Sequence, residues 1–147
     1  MLGVKLICCG KLKEKFYKDA CAEYEKRLST MCRLTVLRVP EEGLKKEAET
    51  ILGNVPQGAY LIAMCVEGRQ VSSENAAKKL SELQNRGVSQ ICIVIGSSEG
   101  LHESVKARAD ARLSMSEMTF PHHLAQVMTL EQLYRALSIN AGSKYHK

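Results

Sequence analysis

Ile93-Val94-Ile95-Gly96-Ser97-Ser98-Glu99-Gly100-Leu101 is a continuous apolar run that stops in a turn bracketed by two glycines. An apolar, β-branched run without polar alternation suits a strand buried on both faces, as in a parallel sheet covered by helices. Working outward, strand-like runs at residues 2–9, 34–39, 60–66 and 111–115 alternate with helix-like segments. This alternation predicts an α/β fold with a mostly parallel sheet, five strands and five helices, in a single domain over residues 1–147. Open α/β sheets bind ligands at the turns that follow the C-terminal ends of their strands, which makes the Gly96 turn a candidate. It is not a GxGxxG fingerprint, because Ser98 stands at the second glycine, and GxxxxGK[ST] occurs nowhere. Dinucleotide and nucleoside-triphosphate binding are therefore poorly supported.

The helices read from periodicity. Phe16, Ala20, Tyr24 and Leu28 recur every fourth residue, with Tyr17 and Cys21 beside them, and predict one apolar stripe on the first helix. A short second helix spans residues 44–52. In the third, Ser72 or Ser73 can cap the start, Ala76, Ala77, Leu80 and Leu83 form the buried stripe, and Gly87 suits the left-handed end. The last helix follows Pro121 and runs to about Asn140, with Thr119 or Ser116 available as its cap. Leu124, Val127, Met128, Leu130, Leu133, Tyr134, Leu137 and Ile139 leave little of it polar, so it is expected to be buried on more than one side. A second copy of the chain is the simplest additional cover, which predicts a symmetric dimer.

Composition narrows the function. Of the 147 residues, 45% are hydrophobic and 25% charged, the balance of an ordinary globular domain. Apolar runs stay far below the roughly 20 residues of a membrane span, and the amino-terminal residues lack a signal-peptide pattern, so a cytoplasmic location is expected. Six cysteines include no CxxC pair, and the adjacent Cys8 and Cys9 alternate to opposite faces of a strand. They read as core residues. The net charge of +5 is modest, but Lys11, Lys13, Lys15 and Lys18 crowd the first helix start, where the helix dipole favours acids. A phosphate-facing patch explains that placement as well as a solvated face does.

Two further segments carry polar chemistry. Residues 115–123 follow the last strand and mix apolar side chains with hydroxyls and two histidines. His122 and His123 point in different directions on a helix and no acidic or thiol ligand sits at suitable spacing, so no metal site is expected. The closing Gly142-Ser143-Lys144-Tyr145-His146-Lys147 puts a phenol ring, an imidazole and two lysines into four residues. That set suits stacking on a base, moving a proton and holding phosphate; a frayed end is the plain alternative.

Gly10-Lys11-Leu12-Lys13-Glu14-Lys15, Ile95-Gly96-x-x-x-Gly100-Leu101, Met118-Thr119-Phe120-Pro121-His122, Glu131-Gln132-Leu133-Tyr134-Arg135-Ala136 and Tyr145-His146-Lys147 resemble, in this order, the ribosomal RNA large-subunit methyltransferase H family. The resemblance covers the whole chain. It implies a SPOUT fold whose C-terminal third forms a deep trefoil knot, a homodimer, and methylation of N3 of a pseudouridine in 23S rRNA, with ribosomal RNA or the assembled ribosome as partner. It also implies S-adenosylmethionine held by strand ends. Carried over by position, the cofactor residues are Met64, Gly96, Met115, Ser116, Glu117, Met118, Thr119 and Phe120. Tyr145, His146 and Arg135 are the candidates for positioning the base, accepting the N3 proton and countering charge. Two departures stand out: Ser97 replaces a family glycine, and Gln126 replaces an arginine, removing one possible RNA contact. Two competing readings are a non-catalytic ribosome-binding protein with the same fold, and a thiol enzyme built on Cys65, for which no His–acid partner is apparent.

Overall fold

The computed structural model describes residues 1–145. Five strands, β1 (Gly3–Cys9), β2 (Arg33–Val39), β3 (Tyr60–Gln70), β4 (Gln90–Ile95) and β5 (Ala111–Ser114), alternate with five helices. These are α1 (Lys15–Leu28), α2 (Leu44–Asn54), α3 (Ser73–Asn85), α4 (Glu103–Arg108) and α5 (His122–Asn140). The sheet order is β2-β1-β4-β3-β5 and every pairing is parallel.

The central position of β4 explains its unbroken apolar sequence. Ile91, Ile93 and Ile95 join Val4, Leu6 and Cys8 beneath α1, α3 and α5, whereas Cys92 and Val94 join Ile7, Cys9 and Leu61 beneath α2 and α4. Cys8 and Cys9 thus enter opposite cores, as alternation requires. Burial pushes the Cys9 thiol up to about 12 and raises Cys8 as well, so both act as small apolar side chains. All six cysteines are free.

Three local expectations change. Phe16 is 65% exposed, and the buried line of α1 runs through Cys21 and Leu28, with Tyr17 and Tyr24 packed partly against the core. A spacing of four drifts around a 3.6-residue helix, which carries Phe16 off the packed face. Neither Thr119 nor Ser116 caps α5: Pro121 occupies the cap position, and Ser116 Oγ instead accepts from the Met118 backbone N–H within the preceding loop. β3 continues to Gln70 because a bulge between Met64 and Arg69 lets it pair again with the end of β5. Gly68 permits this approach, since a Cβ there would lie 2.6 Å from the Leu113 carbonyl carbon.

α5 packs against both α1 and α3. Gln126, which stands where the family often has an arginine, is fully buried. Its Oε1 accepts from Arg38 Nε at 3.0 Å, and its Nε2 donates to the Gly10 carbonyl at 3.5 Å. One amide therefore ties α5 to β2 and to the end of β1, a role invisible without the strand order. Replacing it with Leu removes an acceptor from a guanidinium whose Nη2 already has no hydrogen-bond partner among the described residues. Gln126→Leu is expected to lower the unfolding free energy by about 1.5–3 kcal/mol, measured by chemical denaturation.

Candidate functional site

The strand register gathers the proposed cofactor residues at one edge. Met64 pairs with Ile95 of β4 and with Leu113 of β5, so β4 and β5 end close to the level of Met64, through Gly96 on one side and Ser114-Met115 on the other, while β3 runs on to Gln70. Gly96 sits against the turn that follows it, where a Cβ would collide with the Gly100 carbonyl. Ser97 is tolerated because no residue other than glycine has a positive φ among the described residues. Its carbonyl accepts from Gly100 N–H at 2.9 Å and closes the turn. After β5, Ser114 Oγ donates to the Ser116 carbonyl at 2.8 Å, and the loop then exposes Glu117, Met118 and Thr119.

Beside this edge lies a cavity of about 590 Å³ between α3, α5 and strands β3 and β5. Met64 and Met115 line it together with Ile62, Leu113, Met128 and Leu133; Gly96 and Ser116 to Phe120 stand outside its wall. Ser72, Ser73, Asn75, Thr129, Glu131 and Gln132 supply the polar points. Ser72 Oγ is engaged in capping α3 through Asn75 N–H, and Ser73 Oγ donates to Gln132. Thr129 Oγ1 and Glu131 Oε2 are buried without a hydrogen-bond partner among the described residues. An apolar cleft with a few unspent polar atoms is the construction of a small-molecule site.

Glu131 links this cavity to the tail. Its Oε1 accepts from Arg135 Nη2 at 2.6 Å and Nε at 3.1 Å, and the Tyr145 hydroxyl lies 3.5 Å from the same oxygen. The Tyr145 ring meets Tyr134 edge-on at 4.7 Å and lies 5.0 Å from the Arg135 guanidinium. Two of the three proposed reaction residues, Arg135 and Tyr145, are thus brought together; His146, with Lys147, falls outside the described residues. Sequence reading missed Glu131 as a site residue, although its spacing of four from Arg135 on a helix signalled the pair.

A second cluster forms at the start of α5. Glu41, 81 residues away in sequence, places Oε1 at 2.6 Å from His122 Nε2, and Glu14 Oε2 lies 3.7 Å from His123 Nδ1. The expectation that the histidines lack an acidic neighbour is therefore corrected: the neighbour comes from the connection after β2. Burial, reinforced by the adjacent His122, holds the His123 pKa below the usual imidazole value. Cys65, the candidate nucleophile of a thiol enzyme, has its pKa raised by burial and then by Glu67, which disfavours the reactive thiolate.

Residues 2–146 match the family described as Predicted SPOUT methyltransferase. The chain belongs to the SPOUT methyltransferase family. Its similarity to individual members extends over their full length. It is 45% identical to Ribosomal RNA large subunit methyltransferase H from Bifidobacterium adolescentis, over 99% of this chain and all of that protein. Proteins of the same name from Lactobacillus acidophilus and Clostridioides difficile are each 40% identical over the same shares. Among solved structures, a probable methylase family protein from Haemophilus influenzae superposes with a TM-score of 0.61 at 11% identity, covering the whole chain and 72% of that structure. A probable methyltransferase from Bordetella pertussis gives 0.54 at 12% identity over 92% of this chain and 96% of its own. These distant structures establish the shared α/β fold of the SPOUT methyltransferase and nothing finer.

Proposed function

We propose that the chain is an S-adenosylmethionine-dependent methyltransferase that modifies N3 of a pseudouridine in the 23S RNA of the large ribosomal subunit. The observation that carries this reading is the similarity, end to end, to proteins named Ribosomal RNA large subunit methyltransferase H. The local chemistry fits the cofactor. The 590 Å³ cavity falls in the range of about 300–1,000 Å³ used by small-molecule sites, and the unpartnered Thr129 and Glu131 oxygens can accept from a ligand's hydroxyl or amino groups. Met64, Gly96, Met115, Ser116, Glu117, Met118, Thr119 and Phe120 would hold it, largely through backbone groups. When bound, it supplies an electrophilic methyl on a sulfonium that is itself a good leaving group.

The chain's own work is then geometry and proton handling. The imide N3 would have to lose its proton and be held by the protein facing the cofactor pocket. Tyr145 positions the base and His146 accepts the N3 proton. Arg135, fixed by two hydrogen bonds to Glu131, offers its remaining N–H groups as rigid donors toward imide or phosphate charge. In this reading the chain past β5 threads as a trefoil knot, and the protein works in the cytoplasm, consistent with the absence, among the described residues, of a helix able to cross a membrane.

The deciding experiment is labelled methyl transfer to large-subunit RNA, isolated subunits and whole ribosomes, with mapping of the modified nucleotide. Methylation of pseudouridine N3 is the expected result, and transfer to any other position overturns the reading. Calorimetric binding of S-adenosylmethionine separates it from a non-catalytic ribosome-binding protein.

Two predictions accompany this function. Lys11, Lys13 and Lys18 are exposed and have no acidic ion-pair partner among the described residues, whereas Lys15 pairs with Asp19 at 2.6 Å. Replacing all four lysines with Gln should weaken ribosome binding and flatten its salt dependence, because fewer counterions are released. An unchanged slope returns the patch to a solvated face. Leu124, Val127, Met128 and Tyr134 remain only half-buried on α5, an apolar set suited to cover by a second copy. Light scattering should give the mass of two chains in dilute solution, and Val127→Glu should reduce it to one.

A further inference from the structure

Outside the cavity and the tail, the cluster at the start of α5 has the ligand chemistry of a cation site. One ligand atom from each of Glu41, His122 and His123 lies within 4.8 Å of the other two, and the imidazole centroids are 4.1 Å apart. His123 divides its ring nitrogens between two surroundings. Nδ1 is turned to Glu14 at 3.7 Å, whereas Nε2 is buried and has no hydrogen-bond partner among the described residues. Buried polar atoms are ordinarily satisfied, so a bare ring nitrogen beside a carboxylate and a second imidazole calls for a partner. Metal-binding histidines are commonly oriented by a carboxylate on the opposite ring nitrogen, and Glu14 is placed to do this.

We propose that Glu41, His122 and His123 bind a divalent transition metal of the zinc class, with Glu14 as the outer carboxylate that orients His123. Two imidazoles and one carboxylate are a ligand set that zinc accepts, with a fourth position left to water. The α5 N-terminus and Lys13 oppose a cation here, and the carboxylates of Glu41 and Glu14 offset them. Glycine at residue 10 keeps the pair uncrowded, since a Cβ there would press on the Glu41 carboxylate and lie 3.0 Å from His122 Nε2; the ion would take the place of the present 2.6 Å Glu41–His122 hydrogen bond. An ion at this point ties together the β1–α1 connection, the β2–α2 connection and the end of the loop that follows β5. It does so independently of the proposed RNA chemistry.

The test is calorimetric titration with Zn²⁺, paired with Co²⁺ absorption spectra, on the full chain carrying Cys65→Ser so that the half-buried thiol cannot contribute. One ion per chain, cobalt bands of nitrogen and oxygen ligation, and a rise in thermal midpoint with Zn²⁺ are expected. Glu41→Gln and His123→Ala should each weaken binding by about tenfold or more. Glu41 is exposed and the Gln variant nearly isosteric, so its loss of binding is readable even where His123→Ala perturbs folding. Absence of stoichiometric binding, or equal affinity in Glu41→Gln, overturns the site and leaves the methyltransferase reading untouched.

Discussion

Deleting residues 145–147 is expected to abolish methyl transfer while leaving the fold and S-adenosylmethionine affinity nearly intact. The cavity and strand ends proposed for the cofactor are built from β3, β4, β5, α3 and α5, none of which includes the tail. Tyr145, by contrast, touches Tyr134, Arg135 and the outward oxygen of Glu131, so its removal strips the partners from the surface where the target base would sit. His146→Ala isolates proton transfer, and loss of a general base typically costs about 10²–10⁴-fold in rate. Single-turnover methylation at saturating ribosome and cofactor, followed across a pH series, separates this loss from weakened binding. A wild-type rate at neutral pH for the Ala variant removes His146 as the base and reduces the tail to docking. If cofactor affinity collapses along with activity in the deletion, Glu131 has transmitted the damage and the proposed division of labour fails.

The readings of Phe16 as core and of the α5 histidines as lacking an acidic ligand, both corrected by the structure, show what periodicity cannot resolve. Apolar runs marked the strands, β4 most clearly, because a strand buried on both faces needs an apolar side chain at every position. Helix faces are less determined: Phe16, Ala20, Tyr17 and Cys21 spread over about 140° of the helix, and packing buries Cys21 while Phe16 stays exposed. Gln126 is one of several polar residues on α5, and nothing in its local sequence marks it for burial. Its burial depends on Arg38 and Gly10, 88 and 116 residues away, whose carbonyl and guanidinium need that amide. Glu41 with His122 is the same case. The proposed cofactor residues come from the family resemblance and not from spacing, and contacts between distant loops leave no trace in spacing either.

Gly96→Ala should lower S-adenosylmethionine affinity by at least about tenfold and destabilise the fold by about 1–3 kcal/mol, the usual cost of forcing an extra group into a packed site. Gly96 is the first residue beyond β4, whose last residue Ile95 pairs with Met64 of β3, itself paired with Leu113 near the end of β5. An added Cβ meets the Gly100 carbonyl, which is backbone and cannot rotate away, so the turn from Ser97 to Gly100 must open. That turn is held by the Gly100 N–H to Ser97 carbonyl hydrogen bond and by burial of Leu101 beneath it. Opening it displaces the backbone groups proposed to receive the cofactor, while the cavity wall at Ile62, Leu113 and Leu133 stays in place. Affinity and stability should therefore fall together in Gly96→Ala. Ser97→Gly is the control: Ser97 already has an unstrained backbone, so restoring glycine should change affinity little. Calorimetry on both variants, with thermal melts, decides the matter. Full affinity in Gly96→Ala would show that the cofactor does not rest on this turn.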